Sequence, residues 1–263
     1  MASQTTAGSG VPSLPIRSSD RPSPHTGPLT GSTSSSPPGS KRPKRKGSGG
    51  RSSGARLIAH DRSVGARWIA GADEAGRGCL AGPLVAAAVL LDIEAIGVAE
   101  VRALGALNDS KQHDHAAREA LLPVVMETAQ RVVVVSRSAR GIDERGLHKT
   151  NLAALRESLI RVARPGCICL IDGFEVPPFE YEQRAVVGGD GLSAAIAAAS
   201  IVAKVTRDRL MARAGEQLPE WGFGAHFGYS TPAHRDAIRE HGVSPLHRMS
   251  FQSSAYEQLA LNN

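Results

Sequence analysis

The stretch "GADEAGRGCLAGPLVAAAVLL", Gly71–Leu91, decides what kind of sheet this chain of 263 residues builds. Gly76, Gly78 and Ala81 fit G-x-G-x-x-A, the phosphate-binding turn of dinucleotide folds, but that turn must open a helix. Here Pro83 leads into "LVAAAVLL", an apolar run of strand length, so a second strand succeeds the loop. "RWIAGAD" ahead of it reads as a short first strand. A strand in the place of the required helix excludes a nucleotide cofactor. The same stretch sets Asp73 and Glu74 side by side, although strand neighbours point to opposite faces. Asp73 is expected to project over the sheet edge. Glu74 is expected to stand where the strand stops, so that the turn into Gly76-Arg77-Gly78 brings it back toward Asp73.

Working outward, strands and helices intermix. "RVVVVSR" (Arg131–Arg137) reads as a third strand, "CICLID" (Cys167–Asp172) as a fourth and "RAVVGGD" (Arg184–Asp190) as a short fifth. Helical spacing covers Ala116–Thr128 and Lys149–Ala163, the latter with Leu152, Leu155, Leu159 and Val162 on one stripe. A longer, alanine-rich helix runs from its cap Ser193 to Gln217, and another follows Pro232, with Gly242 behind it. This mixture predicts an α/β fold with a mixed central β-sheet flanked by helices on both faces.

Composition divides the chain at residue 66. Residues 1–66 are rich in Ser, Gly and Pro and lack the apolar runs that offset the entropy of ordering. They are expected to form a disordered basic tail, with the folded domain spanning 67–263. The tail holds ten of the 31 Lys/Arg and two of the 25 acids, so it carries +8 and the domain −2. The basic charge therefore says little about what the domain binds. "KRPKRK" (Lys41–Lys46) reads as a solvated basic linker, with loose phosphate contacts or a nuclear address as the alternatives. Neither a secretory apolar segment nor a run long enough to span a bilayer is present, so no membrane association is expected. Cys79, Cys167 and Cys169 offer no CxxC and no paired framework, which points to a reducing cytoplasm.

Three of the strands end in carboxylates: Asp73-Glu74, Asp172 and Asp190. Loops converge over such strand ends in α/β folds, and four acids gathered there repel one another unless divalent cations neutralise them. Oxygen-only clusters of this kind suit Mg²⁺ or Mn²⁺. His226, His234 and His247 lack metal-ligand spacing, and His247-Arg248 reads as structural.

The order of "GADEAGRGCLAGPLVAAAVLL", "NDSKQ", "LIDG", "GGDGLSAAIAAASIVAKVTRDRLM", "GYSTPAH" and "HGVSPLHRMSF" resembles that of the type 2 ribonucleases H, the bacterial ribonuclease HII family, over about Trp68 to Phe251. The resemblance implies a ribonuclease H-like fold. It also implies cleavage of the RNA strand of RNA–DNA hybrids and nicking of duplex DNA 5′ to embedded ribonucleotides, by a monomer without an obligate protein partner. It assigns catalysis, and the binding of two Mn²⁺ or Mg²⁺ ions, to Asp73, Glu74, Asp172 and Asp190. Gly76, Arg77 and Gly78 are then the loop that approaches the ribose, with Tyr229 beside them. Lys111 and Lys204 are further candidates for phosphate contact. The chain departs from the family at Phe227, where a lysine is usual. Two other functions fit the acids: another metal-dependent nuclease of this fold, or an inactive hybrid-binding protein.

Overall fold

The computed structural model describes residues 52–108, 113–254 and 256, all within the unit Ser48–Asn263. In chain order the elements are α1 (Ser53–Ser63), β1 (Trp68–Ala75), β2 (Leu84–Asp92), α2 (Val98–Ala103), α3 (His115–Thr128), β3 (Arg131–Arg137), α4 (Ala139–Arg145), α5 (Leu147–Val162), β4 (Cys167–Asp172), β5 (Glu182–Val186), α6 (Ala194–Gln217), α7 (Phe223–His226) and α8 (Pro232–His241). The strands form one mixed sheet in the order β3-β2-β1-β4-β5. β1, β2 and β3 pair antiparallel, whereas β4 pairs parallel with both β1 and β5.

Every residue of β2 is buried, because helices cover both of its faces. Val85, Ala87, Val89 and Leu91 meet α6 together with Ile69 of β1. Ala86, Ala88 and Leu90 meet α5 through Leu155 and Leu159. Each large aliphatic side chain withdrawn from water here contributes about 1.5–3 kcal/mol. α6 lies unusually close to β1. A Cβ on Gly71 would stand 2.1 Å from the Ala195 carbonyl carbon, so the alanine run of α6 and this glycine let helix and strand backbones touch. The expected mixed sheet with helices on both faces is what the chain forms.

Three expectations need correction. The fold begins before Arg67: Ser52 caps α1, Leu57 and Ile58 enter the core, and Asp61 is fully buried. The Asp61 carboxylate accepts the Ala195 N–H at 2.9 Å, which ties α1 to the start of α6. Polar residues around a two-residue apolar core hid this helix in the sequence. Residues 1–51 of the expected tail lie outside the described residues. The fifth strand stops at Val186 rather than Asp190; Gly188 turns left-handed (φ 65°) and Asp190 occupies a 3-10 turn, Gly189–Gly191. Nor does β1 stop at Glu74, which stays paired with Ala86 of β2.

Candidate active site

At one end of the sheet β1 outruns its neighbour. Its pairing with β4 ends at Ala72 and Ile171, so Asp73 stands level with Asp172, the last residue of β4, and Glu74 continues past it. A carboxylate on either face of β1 can then reach the space left open. That space is a cleft of about 240 Å³, walled by Asp73, Glu74, Gly76, Arg77, Gly78, Asp172, Ser200, Lys204 and Tyr229. The juxtaposition of Asp73 and Glu74 thus needs no break in strand alternation, only a strand longer than its partner. A larger hollow of about 730 Å³ lies elsewhere, between α4, α6 and Pro245-Leu246, and holds none of the four acids.

The acids are held in different ways. Asp73 accepts the Glu74 N–H at 2.7 Å and a hydrogen bond from Ser200 of α6. Burial pushes its pKa up to about 7, and the carboxylates of Glu74 and Asp172 push in the same direction. Asp172 accepts the Gly189 N–H at 2.7 Å. Glu74 lies 3.6 Å from the Arg77 guanidinium. Asp190 is buried, follows the glycine that binds Asp172, and does not wall the cleft. The structure thus brings together three of the four expected acids and sets the fourth one turn behind Asp172.

Among the described residues no three His, Cys, Asp or Glu side chains stand ready at metal-ligand spacing. The donor chemistry nonetheless fits a hard divalent cation. The acids facing the cleft offer carboxylate oxygen, and crowding of negative charge raises Asp73, a condition that a cation reverses. Hydrogen bonds to the main chain hold Asp73 and Asp172, and an ion pair with Arg77 holds Glu74.

The Gly-Arg-Gly loop is built from behind by two buried arginines: Arg248, expected to be structural, and Arg207, which the sequence did not single out. Arg207 of α6 donates to the carbonyls of Pro83 (2.9 Å), Phe227 (3.0 Å) and Ala81 (3.1 Å). Arg248 donates to the carbonyls of Gly82 (3.0 and 2.9 Å) and Arg77 (3.1 Å). Carbonyls turned inward by the glycine-rich turns give each guanidinium several acceptors, which offset the cost of burying the charge. Gly76 is glycine for this reason: its φ is +90°, and a Cβ would stand 2.0 Å from Arg207 Nε. A Cβ on Gly78 would meet nothing within 4 Å, so the absence of a side chain there keeps cleft space open.

Tyr229 is 40% exposed at the cleft and hydrogen-bonds to the buried Cys79, and burial raises its pKa. Lys204 lies 5.2 Å from the Tyr229 ring centroid and pairs with Asp208 at 2.8 Å. It is therefore neither a solvated surface lysine nor an isolated cation. Lys111 lies outside the described residues.

A family model for ribonuclease HII matches residues 70–254. The chain belongs to the ribonuclease HII family. It is accordingly a hydrolase, an endonuclease of the ribonuclease H class. Ribonuclease HII from Rhizobium etli (strain CIAT 652) is 49% identical over 198 residues, 75% of this chain and 83% of that protein. Among solved structures, the ribonuclease H2 from Pyrococcus horikoshii OT3 superposes with a TM-score of 0.62 at 25% identity, covering 74% of this chain and 98% of that one. Bst-RNase HIII, in complex with Mn²⁺, shares the fold with a TM-score of 0.61 at 20% identity, over 77% of this chain and 72% of that one. No helix among the described residues of this ribonuclease HII family member is long and apolar enough to cross a membrane.

Proposed function

We propose that this chain cleaves the RNA strand of RNA–DNA hybrids and nicks duplex DNA on the 5′ side of an embedded ribonucleotide, leaving a 3′-hydroxyl and a 5′-phosphate. The observation that carries the proposal is the shared cleft: Asp73, Glu74 and Asp172 open on the same space as the Gly76–Gly78 loop and Tyr229. Cutting and sugar-reading groups thus stand within one substrate's reach. Asp73, Glu74, Asp172 and, from the adjoining turn, Asp190 would hold two Mg²⁺ or Mn²⁺ ions. When bound, such ions supply an activated water and stabilise the departing 3′-oxygen.

The chain's own groups do the selecting. The 2′-hydroxyl is the one group separating RNA from DNA at a given position. Gly78 leaves room for a sugar edge to approach the peptide, and the Tyr229 ring offers it a flat apolar face. Arg77, 41% exposed at its side chain, is placed to pair with a phosphate, and Lys204 with another. Phe227 in place of the usual lysine removes one such contact. In this proposal the chain works as a cytoplasmic monomer in ribonucleotide removal from DNA.

Two measurements test it together. The wild type should nick a duplex carrying one ribonucleotide and spare the all-DNA duplex; equal cutting of both, or faster cutting of an all-DNA junction, would favour another nuclease of this fold. Mn²⁺ should raise the melting temperature of the wild type and not that of Asp73→Asn, which should also lose cleavage by at least about a thousandfold. Cleavage retained by Asp73→Asn in excess chelator would sink the two-metal mechanism.

A further inference from the structure

Behind Tyr229 lies a side-chain cluster that the cleft does not use directly. His226, His234 and His247 are buried together, His234 fully so. The His226 and His234 rings stack with centroids 4.2 Å apart, and His234 Nε2 lies 3.1 Å from His247 Nε2.

Main-chain partners fix the proton on each ring. The Ser244 N–H donates to His247 Nδ1 at 2.8 Å, so His247 carries its proton on Nε2. His247 Nε2–H therefore donates to His234 Nε2, which leaves the His234 proton on Nδ1. That Nδ1–H donates to the Tyr229 carbonyl at 2.9 Å. On the third ring, the Gly228 N–H donates to His226 Nδ1 at 3.2 Å, and His226 Nε2–H donates to the Trp221 carbonyl at 2.7 Å. Burial holds all three pKa values below the ordinary histidine value, so the rings are neutral near pH 7.

The stack thus grips the Gly228-Tyr229 main chain from one side. From the other side the Leu80 and Ala81 N–H groups donate to the Gly228 carbonyl at 2.9 and 3.3 Å. A Cβ on Gly228 would stand 2.3 Å from the Ala81 oxygen, so no side chain separates the two loops. The Tyr229 carbonyl also accepts the Thr231 N–H at 2.8 Å. The base of the Tyr229 side chain is therefore set relative to the Gly76–Ala81 loop by paired contacts, and His234 supplies the side-chain contact to the Tyr229 carbonyl.

We propose that His234, backed by His226 and His247, is a positioning residue for ribose selection, holding Tyr229 against the Gly-Arg-Gly loop in the register the sugar requires. It rests on Tyr229 being a ribose-reading residue. His234 touches no reacting atom; it acts through the Tyr229 carbonyl.

Amide substitutions separate the two ring nitrogens. Asparagine can place its N–H₂ where Nδ1 stands and keep the bond to Tyr229; glutamine reaches instead to the Nε2 position and loses it. Cleavage of a duplex with one ribonucleotide is measured at a temperature where circular dichroism shows each variant folded. His234→Gln should lower kcat/KM by about tenfold or more, and His234→Asn should stay within about threefold of wild type. In a Tyr229→Ala background His234→Gln should change nothing further, because its route of action is gone. Equal losses in the Asn and Gln variants, or a Gln effect undiminished without Tyr229, overturn the positioning role while leaving Tyr229 as a reader. Wild-type cleavage by Tyr229→Ala overturns the ribose-reading role of Tyr229 and the positioning role together. Should His234→Gln not fold, His247→Leu removes the donor behind His234 and enters the same cycle with Tyr229→Ala; a His247→Leu loss undiminished without Tyr229, or no loss at all, overturns the positioning role.

Discussion

Gly76 and Gly78, two residues apart, have different reasons to lack a side chain, and substitution separates them. Gly76 combines a left-handed φ with an arginine pressed against the missing Cβ. Alanine there should destabilise the protein by about 1–3 kcal/mol, since strain and displacement of Arg207 add, and cleavage should fall with it. At Gly78 the backbone is ordinary and the Cβ position is open. Gly78→Ala should melt within about 0.5 kcal/mol of wild type yet cleave a ribonucleotide-bearing duplex at least about tenfold more slowly, because its methyl group enters the cleft. Thermal melts paired with kinetics check both. Unchanged cleavage by Gly78→Ala would mean the loop does not touch the sugar. Arg207 and Arg248 stand at the same scale. Nothing local in "VTRDRLM" or "LHRMSF" marks an arginine as buried, since burial depends on carbonyls supplied from residues 77–83 and 227, distant in the chain.

α1 carries the clearest prediction for an element. Removing residues 1–66, the natural cut from composition, also removes Leu57, Ile58 and the Asp61 partner of Ala195. That truncation should lower stability markedly, whereas removing residues 1–51 should leave the melting temperature of the folded unit unchanged. Within the full chain, Asp61→Ala should cost about 1–3 kcal/mol by leaving the Ala195 N–H buried and unpaired, and Leu57→Ala about 2–5 kcal/mol. Thermal melts and chemical denaturation together read all four; a full-strength 67–263 fragment would show that α1 is only an adornment. The contrast also shows what was legible in the sequence. β2 could be read because nine successive residues are buried, and β3 because "RVVVVSR" admits no helical pattern. Asp73, Glu74 and Asp172 could be placed because apolar strands run into them. Asp190 was assigned to a strand because "RAVV" precedes it; the left-handed Gly188 that ends the strand pattern cannot be told in sequence from any other glycine. α1 escaped because its contacts are made with residues from 34 to 134 positions further along the chain.

For the whole molecule, the histidine stack predicts a response to acid. Burial pushes His234 and His247 down to about 4, below the ordinary unfolded value near 6.5. As pH falls through about 6.5 the unfolded chain takes up protons that the folded chain refuses. Stability present above that value is therefore lost progressively down to about 4. At about 1.4 kcal/mol per pKa unit, each ring corresponds to a loss on the order of 3 kcal/mol and the pair to roughly twice that. Asp73, raised to about 7, works with the opposite sign, so the comparison belongs in an Asp73→Asn background. Denaturation midpoints between pH 7 and 4 should fall in that protein and flatten when His247→Leu is added; a slope unchanged by the second substitution would place the acid sensitivity elsewhere.

α6 ties these scales together through its pitch. Ser200 bonds Asp73, Lys204 sits over Tyr229, Arg207 gathers three loop carbonyls, and the Met211 sulfur lies 2.2 Å from where a Gly82 Cβ would be. At about 1.5 Å of rise and 100° of turn per residue, these side chains form a graduated bar some 16 Å long, each mark serving a different part of the cleft or of the loops behind it. Substitutions can alter the marks singly. One residue inserted between Ser200 and Lys204 would instead rotate every later mark by about 100° and dissolve the loop, the tyrosine and the turn at Gly82 in one stroke. Length, more than composition, is what this helix cannot vary.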